Sequence, residues 1–169
     1  YGADELQVVY DACLTAIREG TTLADFVKAA ADILERPWHR ETVFRTNVLS
    51  AYGRGHWQQA QELKDLRPYA RYSAVMDGRT RPSHAALHGL VYPLESPFWQ
   101  RYWPPWDYNC RCAAITLSQG EVEAAGLTVQ TDMTPDLPAP NAKFTGPAND
   151  TPWEPDYQKY PPAVATKLQ

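Results

Sequence analysis

Over the first third of the chain apolar residues recur three and four positions apart, and further on they alternate, which predicts helices followed by strands. Leu6, Val9, Cys13, Ala16 and Ile17 share one face of a first helix, and Gly20 is placed to end it in a left-handed conformation. Thr22 with Asp25 three residues on reads as a capping box for a second helix. Its buried stripe is Leu23, Phe26, Val27, Ala30, Ile33 and Leu34, until Pro37 breaks the pattern. A third, longer helix is expected from about His39 to Leu63, with Phe44, Val48, Ala51 and Tyr52 on its core face. Gly53 and Gly55 fall in its middle, where each costs about 1 kcal/mol relative to Ala, so a kink or a thin contact is expected there.

After Pro68 the pattern changes. Tyr69 to Met76 has the Tyr and Val content of a strand, and Asp77-Gly78 is a strong turn dipeptide. Thr80 can cap a short helix that ends at Gly89. Cys110 to Leu117 reads as a second strand, with Cys110, Cys112, Ala114 and Thr116 on one face and Arg111, Ala113, Ile115 and Leu117 on the other. Ser118 with Glu121 forms a capping-box pattern on a short helix through Ala125, closed by Gly126, and Leu127 to Gln130 fits a short strand. From Thr131 onward there are eight prolines and little periodicity, a segment unable to build its own core. Trp153, Tyr157 and Tyr160 give it anchors, so it is expected to be an arm that wraps its own domain or a neighbour. The fold class is α+β: N-terminal helices, then a small antiparallel sheet with a long Pro/aromatic loop and an extended C-terminal arm. The expected divisions are a helical part at 1–67, an α+β core at 68–130 and the arm at 131–169.

At 169 residues the chain can bury a modest core. A net charge of -4 argues against gripping nucleic acid by net charge, since phosphate binding needs clustered Lys and Arg. Two local basic stripes exist, Arg36, Arg40, Arg45 and Arg54, and Arg67, Arg71, Arg79 and Arg81. Acids dilute both, so they read as a solvated helix face and a turn-rich loop. No apolar run approaches the ~20 residues of a membrane span. No signal-peptide pattern is present and the chain begins at Tyr, so a piece of a longer protein is expected. Three cysteines, two of them separated by one residue, do not make a secreted disulfide framework, and a reducing cytoplasm is the expected place of synthesis.

The candidate chemistry lies between Tyr72 and Cys112. His84 and His88 are four apart, so on a helix they share a face, and Cys110 and Cys112 are two apart, so on a strand both thiols point one way. One His and two Cys, with a fourth ligand from Asp77 or His88, would make a zinc site of ordinary composition. The competing reading takes the cysteines as small buried hydrophobes and the histidines as satisfied polar residues. A disulfide between neighbours this close would be strained, which disfavours redox chemistry. Asp77 beside a metal could activate water, but pairing with Arg79, Arg81 or Arg111 to position the loop is the expected role, because nothing else completes a catalytic set. Glu121-Val-Glu123 resembles the paired glutamates of ADP-ribosyltransferases, yet it sits at a helix start, where acids cap. His84 with Cys110 could also be read as a protease pair, but an N-terminal nucleophilic helix is absent. Neither a Gly-rich phosphate loop nor a Gly-x-Ser-x-Gly elbow occurs. Pro97-Phe98-Trp99, Tyr102-Trp103-Pro104-Pro105-Trp106 and Tyr108 read first as a loop with its own small core and second as a docking surface.

The order of these elements resembles the C-terminal domain of the phage Mu F-like head morphogenesis proteins, minor head proteins of tailed phages. The matching residues are Asp77, Thr80, His84, Leu87 and Gly89, then Pro97 and Phe98, then Pro104, Pro105, Tyr108, Asn109, Cys110, Arg111 and Cys112. Some members of that family carry Cys-x-x-Cys where this chain has Arg81-Pro-Ser-His84, which implies a four-ligand metal site. Arg81 replaces the first of those cysteines here, so one implied ligand is missing. The resemblance implies a structural minor head protein inside the capsid of the virion, near the portal, made in the bacterial host cytoplasm. Its implied role is head assembly, with DNA packaging or ejection beside it. The implied partners are portal and capsid proteins and phage DNA, without a membrane. The alternative from another class is a metal-dependent hydrolase or toxin-like enzyme module carried by a phage particle. A third is a DNA-binding accessory protein.

Overall fold

Gly20 sets the first corner of the chain. It adopts φ 68°, and its N–H donates to Ala16 O at 3.1 Å, closing a helix α1 at Ala3–Glu19. The residues described by this computed structural model are 2–133, 136–144 and 146–149. They fall into two units divided between Phe44 and Arg45.

In the first unit, the Thr22–Asp25 capping box opens α2, Leu23–Ala30, as expected. Thr22 N–H donates to Asp25 Oδ2 at 2.9 Å, and Asp25 N–H donates to Thr22 Oγ1 at 3.3 Å. Phe26, Ala30 and Leu34 are buried with Cys13, and Phe26 packs on Phe44 with ring centroids 5.4 Å apart. The apolar face of α1 is narrower than its periodicity suggests, since Leu6 and Ile17 are exposed. Helix α2 also ends earlier than expected, at Ala30. Pro37 begins the next helix, α3 at Pro37–Glu62, instead of ending the second. Proline suits a first helical turn, where its missing N–H would have no partner anyway. The turn between them is held by Arg40, whose guanidinium donates to the carbonyls of Leu34, Ala31 and Glu35.

The second unit contains α3 from Arg45 on, then β1 Tyr69–Ser73, α4 Pro82–Ala85, β2 Val91–Pro93, α5 Pro97–Tyr102, β3 Ala113–Leu117 and α6 Gln119–Ala124. The strands form one antiparallel sheet in the order β2-β1-β3, with Tyr69 opposite Pro93 on one side and Leu117 on the other. The fold is therefore α+β, as the sequence indicates. Strand β1 ends at Ser73, not Met76, and β3 starts at Ala113, so both cysteines precede it. The expected strand at Leu127–Gln130 is reduced to one parallel bridge between Val129 and Val91. The capping box at Ser118 and Glu121 holds, with Gly126 at φ 58° after the helix.

The aromatic segment is less irregular than expected. It contains β2 and α5, the latter started by Ser96, whose hydroxyl accepts from Phe98 N–H, and by Pro97. Phe98, Trp99, Tyr102, Trp103 and Trp106 are all buried and supply most of the core, together with Tyr72 and Tyr92 from the sheet. Tyr108 alone of the aromatic cluster is exposed. Helix α3 runs unbroken through Gly53 and Gly55. Gly53 is buried because the backbone of Pro104 and the ring of Pro105 lie against it, whereas Gly55 faces open space. Tyr52, expected on the core face, is exposed, and Ala60 is buried instead. The described part of the Pro-rich segment packs on this core through Met133, Leu137 and Ala148, and Pro138 O accepts from Tyr102 Oη at 2.7 Å. Trp153, Tyr157 and Tyr160 lie outside the described residues. Among those described, no helix is long and apolar enough to cross a membrane.

Candidate metal centre

Helix α4 is a single turn, started by Pro82 after Arg81 in the N-cap position. Thr80, expected as the cap, instead donates its hydroxyl to Val75 O and so ties the Asp77 turn to the end of the first strand's extension. The turn of α4 carries His84 inward, leaving it 2% exposed. Its ring stacks on Trp106, with centroids 4.0 Å apart and planes 14° from parallel, which fixes its orientation. The cysteines arrive from the other direction. Asp107 Oδ1 accepts from Tyr108 N–H at 2.8 Å, Asn109 adopts φ 54°, and Cys110 N–H donates to Asp107 O at 3.2 Å. Asn tolerates that left-handed conformation better than most residues, so the Asp-Tyr-Asn sequence turns the chain sharply just before the first thiol.

The result is a cluster of His84, Cys110 and Cys112, whose donor atoms all lie within 4.8 Å of one another. His84 Nδ1 stands 3.6 Å from Cys110 Sγ and 3.5 Å from Cys112 Sγ. A tetrahedral zinc with Zn–S about 2.3 Å and Zn–N about 2.05 Å requires S···N separations of about 3.5 Å. The two S···N separations thus match two edges of such a tetrahedron. The same spacing suits a hydrogen bond between ring nitrogen and sulfur, so the metal-free pair is accommodated too. His84 Nε2 is buried without a hydrogen-bond partner among the described residues, so the Trp106 stack takes the orienting role that a second hydrogen bond usually plays.

The two thiols are electrostatically unequal. Cys112 is held well below the usual thiol range, first by the hydrogen bond from Cys110, then by His84 and Tyr72, against the cost of its burial. Cys110 is pushed up, by donating that same hydrogen bond and by burial. Metal binding through both sulfurs requires both as thiolates, so it releases protons and is favoured as pH rises. Tyr72 is fully buried beside them, and its hydroxyl accepts from Trp106 Nε1 at 2.7 Å. Burial, above all, raises its hydroxyl pKa.

Of the residues singled out by sequence, His84, Cys110 and Cys112 come together; Asp77 and His88 are engaged elsewhere. Asp77 forms a bidentate pair with Arg111, Nη2 to Oδ1 at 2.6 Å and Nη1 to Oδ2 at 2.9 Å, and also accepts from Arg79 N–H. Its carboxyl is held well below the usual range, first by the Arg111 hydrogen bond. His88 is exposed, and its Nδ1 accepts from Ala74 N–H at 3.1 Å. Tyr72 and Trp106 were not legible as site residues, because an aromatic among aromatics reads as core. Glu121 shows the capping role expected of it, accepting from Ser118 N–H and pairing with Arg67 at 2.8 Å. The cluster lines a cleft of about 170 Å³ together with Arg79, Thr80, Arg81, Asn109 and Arg111.

Residues 7–115 match the family described as phage Mu protein F like protein. The chain is 34% identical over 149 residues to protein F of Escherichia phage Mu, named provisionally for capsid assembly; the alignment covers 75% of this chain and 34% of that protein. It is 44% identical over 96 residues to the Mu-like prophage FluMu F protein of Haemophilus influenzae, covering 57% of this chain and 23% of the relative. The chain thus spans about a third or less of the curated relatives it matches. No solved structure matches it.

Proposed function

Because this chain belongs to the phage Mu protein F-like family, we propose that it acts in phage capsid assembly as a structural minor head component. The observation that carries this reading is the similarity to the Mu protein named for capsid assembly, which runs through 75% of the chain. The proposed partners are portal and capsid proteins, with phage DNA met during packaging or ejection, and the proposed location is the capsid interior of the virion.

Within this role the His84–Cys110–Cys112 cluster is proposed as a structural zinc site. When bound, the ion would supply Lewis-acid bonds that tie α4 to the loop before β3. The residues around it support that use. Trp106 fixes the imidazole, Tyr72 backs Cys112, and the Asp77–Arg111 pair clamps the Asp77 turn to the intervening Arg of the Cys-Arg-Cys sequence. A hydrolytic reading is favoured by one observation, three ligands on an open cleft, as catalytic zinc sites have. Asp77, the carboxylate expected beside the metal, is locked to Arg111 and so is a poor general base.

The test is made on phage particles assembled from the genome that encodes this chain. Quantitative mass spectrometry is expected to find a few copies per purified head, and deletion should abolish DNA-filled heads. Normal yields of filled heads without the protein would contradict the reading. Hydrolysis of a model ester or phosphodiester by the zinc-loaded chain, lost in Cys112→Ser, would favour the enzyme instead.

A further inference from the structure

The cleft above the cluster raises the question of a fourth ligand. This inference rests on the metal reading of His84, Cys110 and Cys112. Among the described residues only these three offer donor atoms close enough to share an ion. Other polar groups of the fold that could approach have partners of their own. Both carboxylate oxygens of Asp77 are taken by Arg111, Nδ1 of His88 by Ala74 N–H, and Tyr72 Oη accepts from Trp106 Nε1. All three residues line the cleft.

That interior is shaped for negative charge. Arg79, Arg81 and Arg111 line it together with Thr80 and Asn109. Two guanidiniums are anchored from outside the lining, Arg111 by Asp77 at 2.6 Å and Arg81 by Asp107 at 3.0 Å, with a further bond from Arg81 to Tyr108 O at 2.7 Å. The anchoring positions them without covering every N–H, since a guanidinium carries five donors. Arg79 is 81% exposed, and its Nη2 lies 3.7 Å from Asp77, so it is the least committed of the three. Three guanidiniums against two carboxylates leave the cleft net positive. A divalent ion with two thiolates is itself neutral, so an incoming anion meets no opposing charge at the metal.

We propose that an ion held by His84, Cys110 and Cys112 keeps its fourth coordination position for an exchangeable oxyanion, a carboxylate or phosphate oxygen drawn in by the arginine-lined cleft. The ligand binds by displacing water, and no covalent or redox step is involved. Arg79, the least committed of the three, carries the guanidinium fork that matches either anion.

The experiment loads the purified full chain with Co²⁺ and follows its thiolate charge-transfer and d–d absorption while inorganic phosphate and, separately, acetate are titrated in. The expected result is a saturable change in the d–d bands with at least one anion, the tighter of the two naming the ligand class. Arg79→Ala should keep the thiolate band and raise the half-saturating concentration about three- to tenfold, as removal of one charge-assisted contact does. A thiolate band that neither anion perturbs, but that Tyr72→Phe alters, would overturn the proposal, because Tyr72 would then close the site. Absence of any thiolate band would remove the metal reading beneath it.

Discussion

Asp77 illustrates how a single side chain is fixed by its partners. Its carboxylate takes two hydrogen bonds from Arg111 and one from Arg79 N–H, and these hold its carboxyl well below the usual range. A depressed acid stabilises the fold above the unfolded-state value, near pH 4, and that contribution is lost as pH falls through the folded-state value. Asp77→Asn should therefore melt at a lower temperature than the parent at pH 7, and the gap should close steadily below about pH 4. Thermal melts of both proteins from pH 7 to pH 2 check this; a gap independent of pH would mean that charge has no part in the clamp. Glu121, drawn down to about 2 by Ser118 and then Arg67, contributes with the same sign, in full above its unfolded value of about 4.3 and progressively less as pH falls toward the folded one.

Elements show where pattern alone succeeds and where packing decides. The glycines of α3 are the clearest pair. An added Cβ at Gly53 would stand 2.7 Å from Pro105 Cδ and still closer to the Pro104 carbonyl, whereas at Gly55 nothing lies within 4 Å. Gly53→Ala should destabilise by about 1–3 kcal/mol through overpacking, despite alanine's better helix propensity. Gly55→Ala should stabilise by about 0.5–1 kcal/mol. Denaturant unfolding of the two variants measures both, and equal effects would show that Gly53 is not held by its neighbours. From sequence the two glycines look alike, since only the approach of Pro104 and Pro105 separates them. Capping signals were local and therefore legible: Thr22, Gly20 and Ser118 act as their patterns indicate. Strand ends were not, because the Cys-Arg-Cys segment alternates like a strand while Asn109 turns it into a loop. The register of helix and strand was also hidden in the aromatic segment, where Ser96-Pro97 was a start signal masked by the proline-rich surroundings. Ser118→Ala should cost about 1 kcal/mol, by removing the cap from α6, and the same unfolding measurement reads it.

At the scale of the whole molecule, the second unit joins its sheet to an aromatic core and closes both over a histidine and two cysteines. Sequence supplied the donors, since His and Cys are few and their spacing is visible. It could not supply the set that assembles. His84 and His88 looked equivalent on a helical turn, but α4 is only four residues long, and His88 lies beyond it, facing Ala74. The family resemblance rested on the same short residues that build this site, and family membership covers residues 7–115. This cluster is the proposed structural zinc site of a proposed head-assembly component. Zinc that binds only the folded chain stabilises it by about 2.7 kcal/mol at a hundredfold excess over Kd. The most direct test measures zinc content and melting temperature of the purified chain with and without chelator, beside Cys110→Ser/Cys112→Ser. The expected result is one zinc per chain, a melting temperature several degrees lower after chelation, and a variant that holds no zinc and no longer responds to chelator. A parent protein that retains no zinc when offered it, and melts identically with chelator present, would contradict it.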